Sequence, residues 1–564
     1  MPSWIPGSYL LREFARHIVS IRGESGGRPL AAEQADKSSW WFRGAERELR
    51  VTIEVYALDR SVRGAYFDPW RAYFNGTCLF LIPEGREHEP VELELEPPRD
   101  ERFADWRVAT AMQPEAVDER GFGRYRAADY DELIDHPFEI GHFERVDFDA
   151  GGVPHRLVVA GRFDTDLDRV ATDLRQLCET QIDFFGRPAP FDRYWFLGLA
   201  TGDGYGGLEH RASSSLIFDR DDLPKPGEPG VPFEYERFLS LASHEYFHSW
   251  HVKRTKPAAF VPYRLDRRNH TRLLWVFEGI TSYYQDLFLL RSGLIGRAAY
   301  LKRLGQTLTR VYRTPGRFRQ SLADSSFNAW DVLYKPEPNA PNASISYYSK
   351  GALVALALDL ELRRRSPTSL DDVVRELWRR YGSTGIGVPE DGFEKLAEEV
   401  SGLRLGEFFA RAIRGTEDLP LAELLAEFGV ALELRAQTGP EDRGGTPPPS
   451  DGQTPLTLGA AFRARPEGLE LTAVLDGGPA QRAGLAPGDV LIALDRLKVN
   501  DRNLKRRLTR FEDGERVTAT AFRGDELLEV GLVLAAAPKD TCWLRVVDDA
   551  DDAARVRRDA WLGG

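Results

Sequence analysis

A chain of 564 residues is too long for one hydrophobic core, and ordinary domain sizes of roughly 100 to 200 residues divide it into three or four folding units. Its formal charge of -13 disfavours non-specific binding to nucleic acid or anionic membrane, which need a surplus of Lys and Arg, and no run approaches the roughly 18 uncharged apolar residues of a membrane helix. Cys78, Cys178 and Cys542 are far apart and odd in number, with no CxxC, so they read as reduced structural thiols rather than a disulfide framework or thiolate metal site.

The opening MPSWIPGSYLLREF has neither the basic start nor the apolar run of a secretory signal, so the chain as given reads as cytoplasmic; a signal missing from its start would make it periplasmic. From Leu49 the residues alternate, with Leu49, Val51, Ile53 and Val55 on one face, which predicts a half-buried strand. Shorter patterns at Thr77 to Ile82, Val91 to Glu96 and Arg156 to Ala160 extend this to a β-sandwich-like N-terminal domain over residues 1–165. The period then becomes helical, with Leu167, Val170, Leu174, Leu177 and Cys178 on one face of a helix ending near Gly186-Arg187-Pro188. Strand-like runs at Tyr194 to Ala200 and Ser213 to Phe218 follow, then a helix through Phe238 to Val252, and a mostly helical stretch from Gly351 to about Leu432. Residues 166–436 thus form an α+β domain with a helical C-terminal lobe. Residues 437–454 have a linker's composition, 455–540 carry short strands around GGPAQRAGLAPGDVLIALD, and 541–564 are a C-terminal tail.

The chemistry concentrates in SHEYFHSW. At 3.6 residues per turn, His244 and His248 share one helical face and can grip one zinc ion, while Glu245 can take a proton from water there as general base. A three-histidine site would need HExxHxxGxxH, and His251 and Arg254 do not complete it. His251 falls on the same face about 10 Å further along the helix, too far to share the ion, so packing or substrate lining is its expected role. In WVFEG, Glu278 looks like the third, glutamate ligand of thermolysin-like and aminopeptidase N-like enzymes, the gluzincins. Four residues past Glu278 stands Ser282, and the first carboxylate beyond is Asp286, which leaves the histidines' orienting partners unassigned.

Together with these motifs, MPSWIPGSYLLREFAR, SHEYFHSWHVKRTKP, ISYYSKGALVALALDLELR and the 455–540 module resemble the glycyl aminopeptidase family of PDZ-containing gluzincins, metallopeptidase family sixty-one. The resemblance implies a multidomain chain: an N-terminal β-domain, a thermolysin-like α+β catalytic domain with one zinc ion, and a C-terminal PDZ domain. It implies that Gly206-Gly207-Leu208-Glu209-His210 is an exopeptidase motif in which Glu209 binds the substrate's α-ammonium. In Tyr348-Ser349-Lys350-Gly351, Tyr348 is similar to the tyrosine that stabilises the oxyanion, with Tyr347 a nearby competitor. Leu458, Gly459 and Ala460 resemble a PDZ carboxylate-binding loop, to which a peptide C-terminus would add as a strand.

The expected activity is a zinc aminopeptidase acting on peptides with a free N-terminus, with small first residues, Gly or Ala, implied by the family. Two alternatives stand beside it: an endopeptidase in which Glu209 meets no amine, and a PDZ-based peptide-binding protein with little turnover.

Overall fold

Alternation and helical period build most of the elements expected of them. The structure, a computed structural model, describes residues 1–449 and 454–563. It divides into two compact units, one of Met1–Thr271, Tyr284–Ile295 and Val374–Phe393, the other of Arg272–Tyr283, Gly296–Val373 and Glu394–Gly564. No helix among the described residues is long and apolar enough to cross a membrane.

In the first unit, residues up to about 141 are β-rich. The strand Arg50–Val55 alternates exposed and half-buried residues as its sequence predicts and pairs antiparallel with Ile18–Ser25. Val91–Leu95 pairs with Gly123–Ala127, and a four-stranded sheet runs Ala65–Phe67, Arg71–Phe74, Phe138–Gly141, Arg107–Ala109. The strand expected at Thr77 to Ile82 is instead a 3-10 turn over Gly76–Cys78. Close packing explains it: a Cβ on Gly76 would stand 2.9 Å from Ile134 Cα, and the preceding Asn75 donates through Nδ2 to Val62 O at 2.8 Å.

A five-stranded sheet follows, in the order Phe143–Ala150, Val153–Gly161, Tyr194–Thr201, Ser213–Asp219, Tyr205–Glu209. Val153–Gly161 and Tyr194–Thr201 are parallel, and the helix Leu167–Phe185 makes the crossover between them, burying Val170, Leu174, Leu177 and Cys178. Two strands of this sheet, Phe143–Ala150 and Val153–Gly161, thus precede the expected division at 165. Local alternation cannot reveal which sheet a strand joins. The last strand, Tyr205–Glu209, pairs antiparallel with Ser213–Asp219 on one side only, which makes it a sheet edge. Its Leu208 is fully buried among N-terminal residues including Ile5, Phe74 and Phe138.

In the second unit, the helix Tyr347–Arg365 is buried along most of its length. Residues beyond 455 form a sheet ordered Ala460–Ala464, Leu469–Val474, Val490–Leu494, Arg516–Arg523, Glu526–Val533, around Leu471, Leu491, Val499, Ala519 and Leu532. Two expectations change here. Residues 541–564 are not a tail: Lys539–Val546 pairs antiparallel with Val430–Ala436, and in the helix Asp552–Leu562 the fully buried Trp561 donates to Tyr283 Oη at 3.0 Å. Nor is the described part of 437–454 a bare spacer. Arg435 forms an ion pair with Asp442, and Gly445 donates its N–H to Cys542 O at 2.8 Å. Residues 450–453 of that expected linker lie outside the described residues.

Candidate metal centre and amine site

The helix Phe233–Phe247 carries His244 and Glu245, with His248 as its C-terminal cap. It ends short of the expected Val252. After His248 the chain makes a tight turn in which Trp250 and His251 donate their N–H groups back to Phe247 O, and Val252 adopts a positive φ of 123°. That turn has a chemical consequence. His248 Nδ1 lies 2.7 Å from the carbonyl oxygen of His251. A carbonyl only accepts, so His248 carries its proton on Nδ1 and presents the lone pair of Nε2. His251 thus contributes its backbone, while its ring is buried against Phe247.

His244 is oriented in the same sense by a side chain that sequence reasoning missed. Its Nδ1 lies 2.7 Å from Gln285 Oε1, Gln285 Nε2 donates to Ser240 Oγ at 3.0 Å, and Ser240 Oγ donates to Asp286 Oδ1 at 2.7 Å. The relay runs one way. The Asp286 carboxylate accepts the hydrogen bond of the Ser240 hydroxyl, so Ser240 Oγ accepts from the Gln285 amide nitrogen, and the amide oxygen faces His244 as an acceptor. Both histidines therefore offer Nε2.

Glu278 lies in a π-helical turn, Trp275–Gly279, that continues into the helix Ile280–Arg291. Such turns often occur at functional sites, where they re-aim a side chain. Gln285 follows Glu278 by seven residues, about two turns along one helical run. One ligand atom from each of His244, His248 and Glu278 lies within 4.8 Å of the other two, and an equally close set joins Glu209, Glu245 and His248. Two Nε2 atoms and a carboxylate fit zinc in the two-histidine, one-glutamate pattern, and assigning the ion to them leaves Glu245 and Glu209 for other work.

The WxxEG and YxKG motifs meet at paired glycines. A Cβ on Gly279 would stand 2.6 Å from Gly351 Cα, and one on Gly351 would stand 2.9 Å from Gly279 Cα. This contact keeps the start of the helix Tyr347–Arg365 close to the Glu278 turn. Tyr347 is wholly buried; burial first, then Tyr334 and Glu278, push its hydroxyl well above the ordinary tyrosine range. Tyr348 is half-buried, stacks on Tyr347 and shares a 2.8 Å hydrogen bond with Tyr334 Oη. Of the two, Tyr348 is the less buried.

On the edge strand, Gly207 leaves room for the Glu245 carboxylate, which any Cβ at that position would overlap. Its carbonyl accepts from Arg63 Nη2 at 2.9 Å, and Gly206 beside it is half-buried. Glu209 is 3% exposed, and its Oε1 has no hydrogen-bond partner among the described residues. A buried carboxylate oxygen left in that state is costly unless a cation joins it. Next to it, buried His210 lies 3.5 Å from Asp135, which also pairs with Lys253 at 2.6 Å. In the module beyond 455, Leu458 is buried, and Gly459 donates its N–H to Thr457 Oγ1 at 3.0 Å, so that donor of the expected carboxylate loop is engaged, while Ala460 starts a strand paired with Val474.

The model of the M61 glycyl aminopeptidase family matches residues 237–354, and that of the peptidase M61 N-terminal domain matches residues 1–142. Along its whole length the chain is similar to a solved aminopeptidase N family protein from Idiomarina loihiensis, with 40% identity and a TM-score of 0.95, over 100% of this chain and 94% of that one. An M1 zinc metallopeptidase from Deinococcus radiodurans is a far more distant likeness, with 15% identity and a TM-score of 0.46 over 72% of this chain and 85% of that one. Among curated proteins, 78 residues are 33% identical to a probable periplasmic serine endoprotease DegP-like of Brucella suis. That match covers 14% of this chain and 15% of the relative's length.

Proposed function

We propose that this chain, which belongs to the M61 glycyl aminopeptidase family, is a zinc metallo-aminopeptidase that removes small first residues, Gly or Ala, from peptides. The observation that carries the reading is Glu209: a buried carboxylate with one oxygen that has no partner among the described residues, within 4.8 Å of ligand atoms on Glu245 and His248. In a peptide the α-nitrogen is only about 2.5 Å from the first carbonyl carbon, the distance across the angle at Cα between two bonds of about 1.5 Å. An ammonium held by Glu209 therefore brings the first peptide bond, and no later one, to Glu245.

His244, His248 and Glu278 would hold the metal, and zinc there supplies polarisation of the scissile carbonyl and a water whose pKa falls towards about 7. Glu245 takes the water's proton as it attacks and passes that proton to the departing amine. Tyr348 donates its hydroxyl to the oxygen that gains charge, a donor already held in place by Tyr334. Gln285 and the His251 carbonyl keep both imidazoles in the Nδ1–H form. On this edge strand Arg63 already takes the Gly207 carbonyl that a longer substrate strand would use, which supports the exopeptidase reading over an endopeptidase. The module over 455–540 is read as a PDZ domain, a proposal that rests on its sheet.

Zinc content measured together with hydrolysis of glycyl- and alanyl-amide chromogenic substrates tests the reading. One zinc per chain and activity abolished by chelation, then restored by zinc, is the expected result. Full hydrolysis by zinc-free protein would overturn it.

A further inference from the structure

The chain's first residues are buried almost without interruption: Pro2 to Pro6, Ser8 and Tyr9 are covered, and only Gly7 among them is half-buried. Ser8 donates its N–H to Ile5 O at 3.0 Å, and Gly7 has φ 95°. Pro at the second position and a positive-φ glycine at the third make Ile5–Ser8 a type II turn. The turn is firmly anchored. Ser3 N–H donates to Leu265 O at 2.7 Å, Trp4 Nε1 donates to Arg264 O at 2.9 Å, and Tyr9 stacks on Phe260 with centroids 5.9 Å apart.

What the anchored turn touches is the Glu209 carboxylate. A Cβ on Gly7 would stand 2.5 Å from Glu209 Oε2 and 2.7 Å from both Cδ and Oε1. Only a hydrogen fits there. The contact confines the carboxylate by shape, and its buried Oε1 has no hydrogen-bond partner among the described residues. Each of the two glycines bordering these acids does one job: Gly207 makes room for Glu245 and Gly7 for Glu209.

We infer that the Pro6–Gly7 turn is a wall of the amine-binding site and that Gly7 is a positioning residue, holding Glu209 where its free oxygen meets the substrate's primary ammonium. The inference rests on the reading of Glu209 as the ammonium-binding carboxylate.

A double-mutant cycle tests it. Gly7→Ala, Glu209→Gln and the double variant are compared in kcat, KM and zinc content on a glycyl-amide substrate. Gly7→Ala is expected to lower kcat/KM by about 10- to 100-fold with zinc retained, and to cost less than about 2-fold more once Glu209 is Gln. An equal loss in both backgrounds would overturn the inference while leaving the aminopeptidase reading intact. If Glu209→Gln alone leaves kcat/KM unchanged, the amine-site reading falls and takes this inference with it. Pro6→Ala frees the turn without adding an atom near Glu209, so it serves if Gly7→Ala does not fold. Its smaller loss must likewise vanish in the Glu209→Gln background, and a loss that persists there overturns the inference.

Discussion

Replacing Gln285 by Leu should loosen the metal site without touching a ligand. Leu fills a similar volume but removes the acceptor 2.7 Å from His244 Nδ1. The imidazole then has a partly buried N–H with no acceptor, and nothing selects the tautomer that offers Nε2. Two routes give the magnitude. Removing a histidine's orienting partner typically costs about 10- to 100-fold in metal affinity, which is about 1.4 to 2.7 kcal/mol. Leaving a buried donor unsatisfied costs about 1 to 3 kcal/mol. The agreement sets the expectation at one to two decades in zinc dissociation constant, read by competition with a chromophoric chelator. Gln285→Glu keeps an acceptor for His244 and should bind zinc within a few-fold of the parent. A Leu variant that holds zinc as tightly as the parent would refute the role of the Asp286–Ser240–Gln285 relay.

Other outcomes follow from the same geometry. Glu245→Gln should retain zinc and lose about 10²- to 10⁴-fold in kcat, measured on the glycyl-amide substrate, because the proton acceptor is gone while the ligands stay. Tyr348→Phe should lose about 10²- to 10³-fold in kcat with KM little changed, whereas Tyr347→Phe, at a wholly buried position, should leave kcat near the parent's. Asp135 governs acid stability: burial alone would raise its carboxyl, but Lys253, then Arg211 and His210, outweigh it and hold the group well below its ordinary 3.8. A depressed folded value means the stabilisation is complete above the unfolded value and drains away as pH falls below about 4. Asp135→Asn should therefore unfold at lower urea than the parent at pH 7, by about 3 to 5 kcal/mol since Lys253 loses its partner, and the gap should narrow below pH 4.

The metal helix was legible because the chemistry and the helical period coincide: two ligands four residues apart, with the base beside the first, read directly from SHEYFHSW. What surrounds them was not. The partner of His248 is a backbone carbonyl, and a carbonyl at residue 251 leaves no trace in the side-chain pattern. The partner of His244 is an amide seven residues past Glu278, whereas the expected sign was a carboxylate at four; i, i+7 lies on the same face as i, i+4, and a Gln flanked by Ser240 accepts as a carboxylate would. Asp286, the first acid after Glu278, joins the histidine through Ser240 and then Gln285.

Non-local pairing hid the rest. The C-terminal strand Lys539–Val546 finds its partner at Val430–Ala436, a pairing that neither segment's own periodicity signals, and Val153–Gly161 reads equally well as an end of the N-terminal domain or as a member of the five-stranded sheet. The contact of the Gly7 turn with Glu209 spans about two hundred residues of chain, a pairing that no local pattern signals.

The central claim is that Glu209 reads a free amino terminus beside Glu245. Its most direct test is the ratio of kcat/KM for a peptide with a free N-terminus to that for the same peptide N-acetylated, measured on zinc-loaded protein and on Glu209→Gln. The account predicts a ratio of at least about 10² that collapses towards one in the Glu209→Gln protein, the loss expected when a buried charge loses its ionic partner. Equal cleavage of the free and acetylated peptides by the parent protein would contradict it.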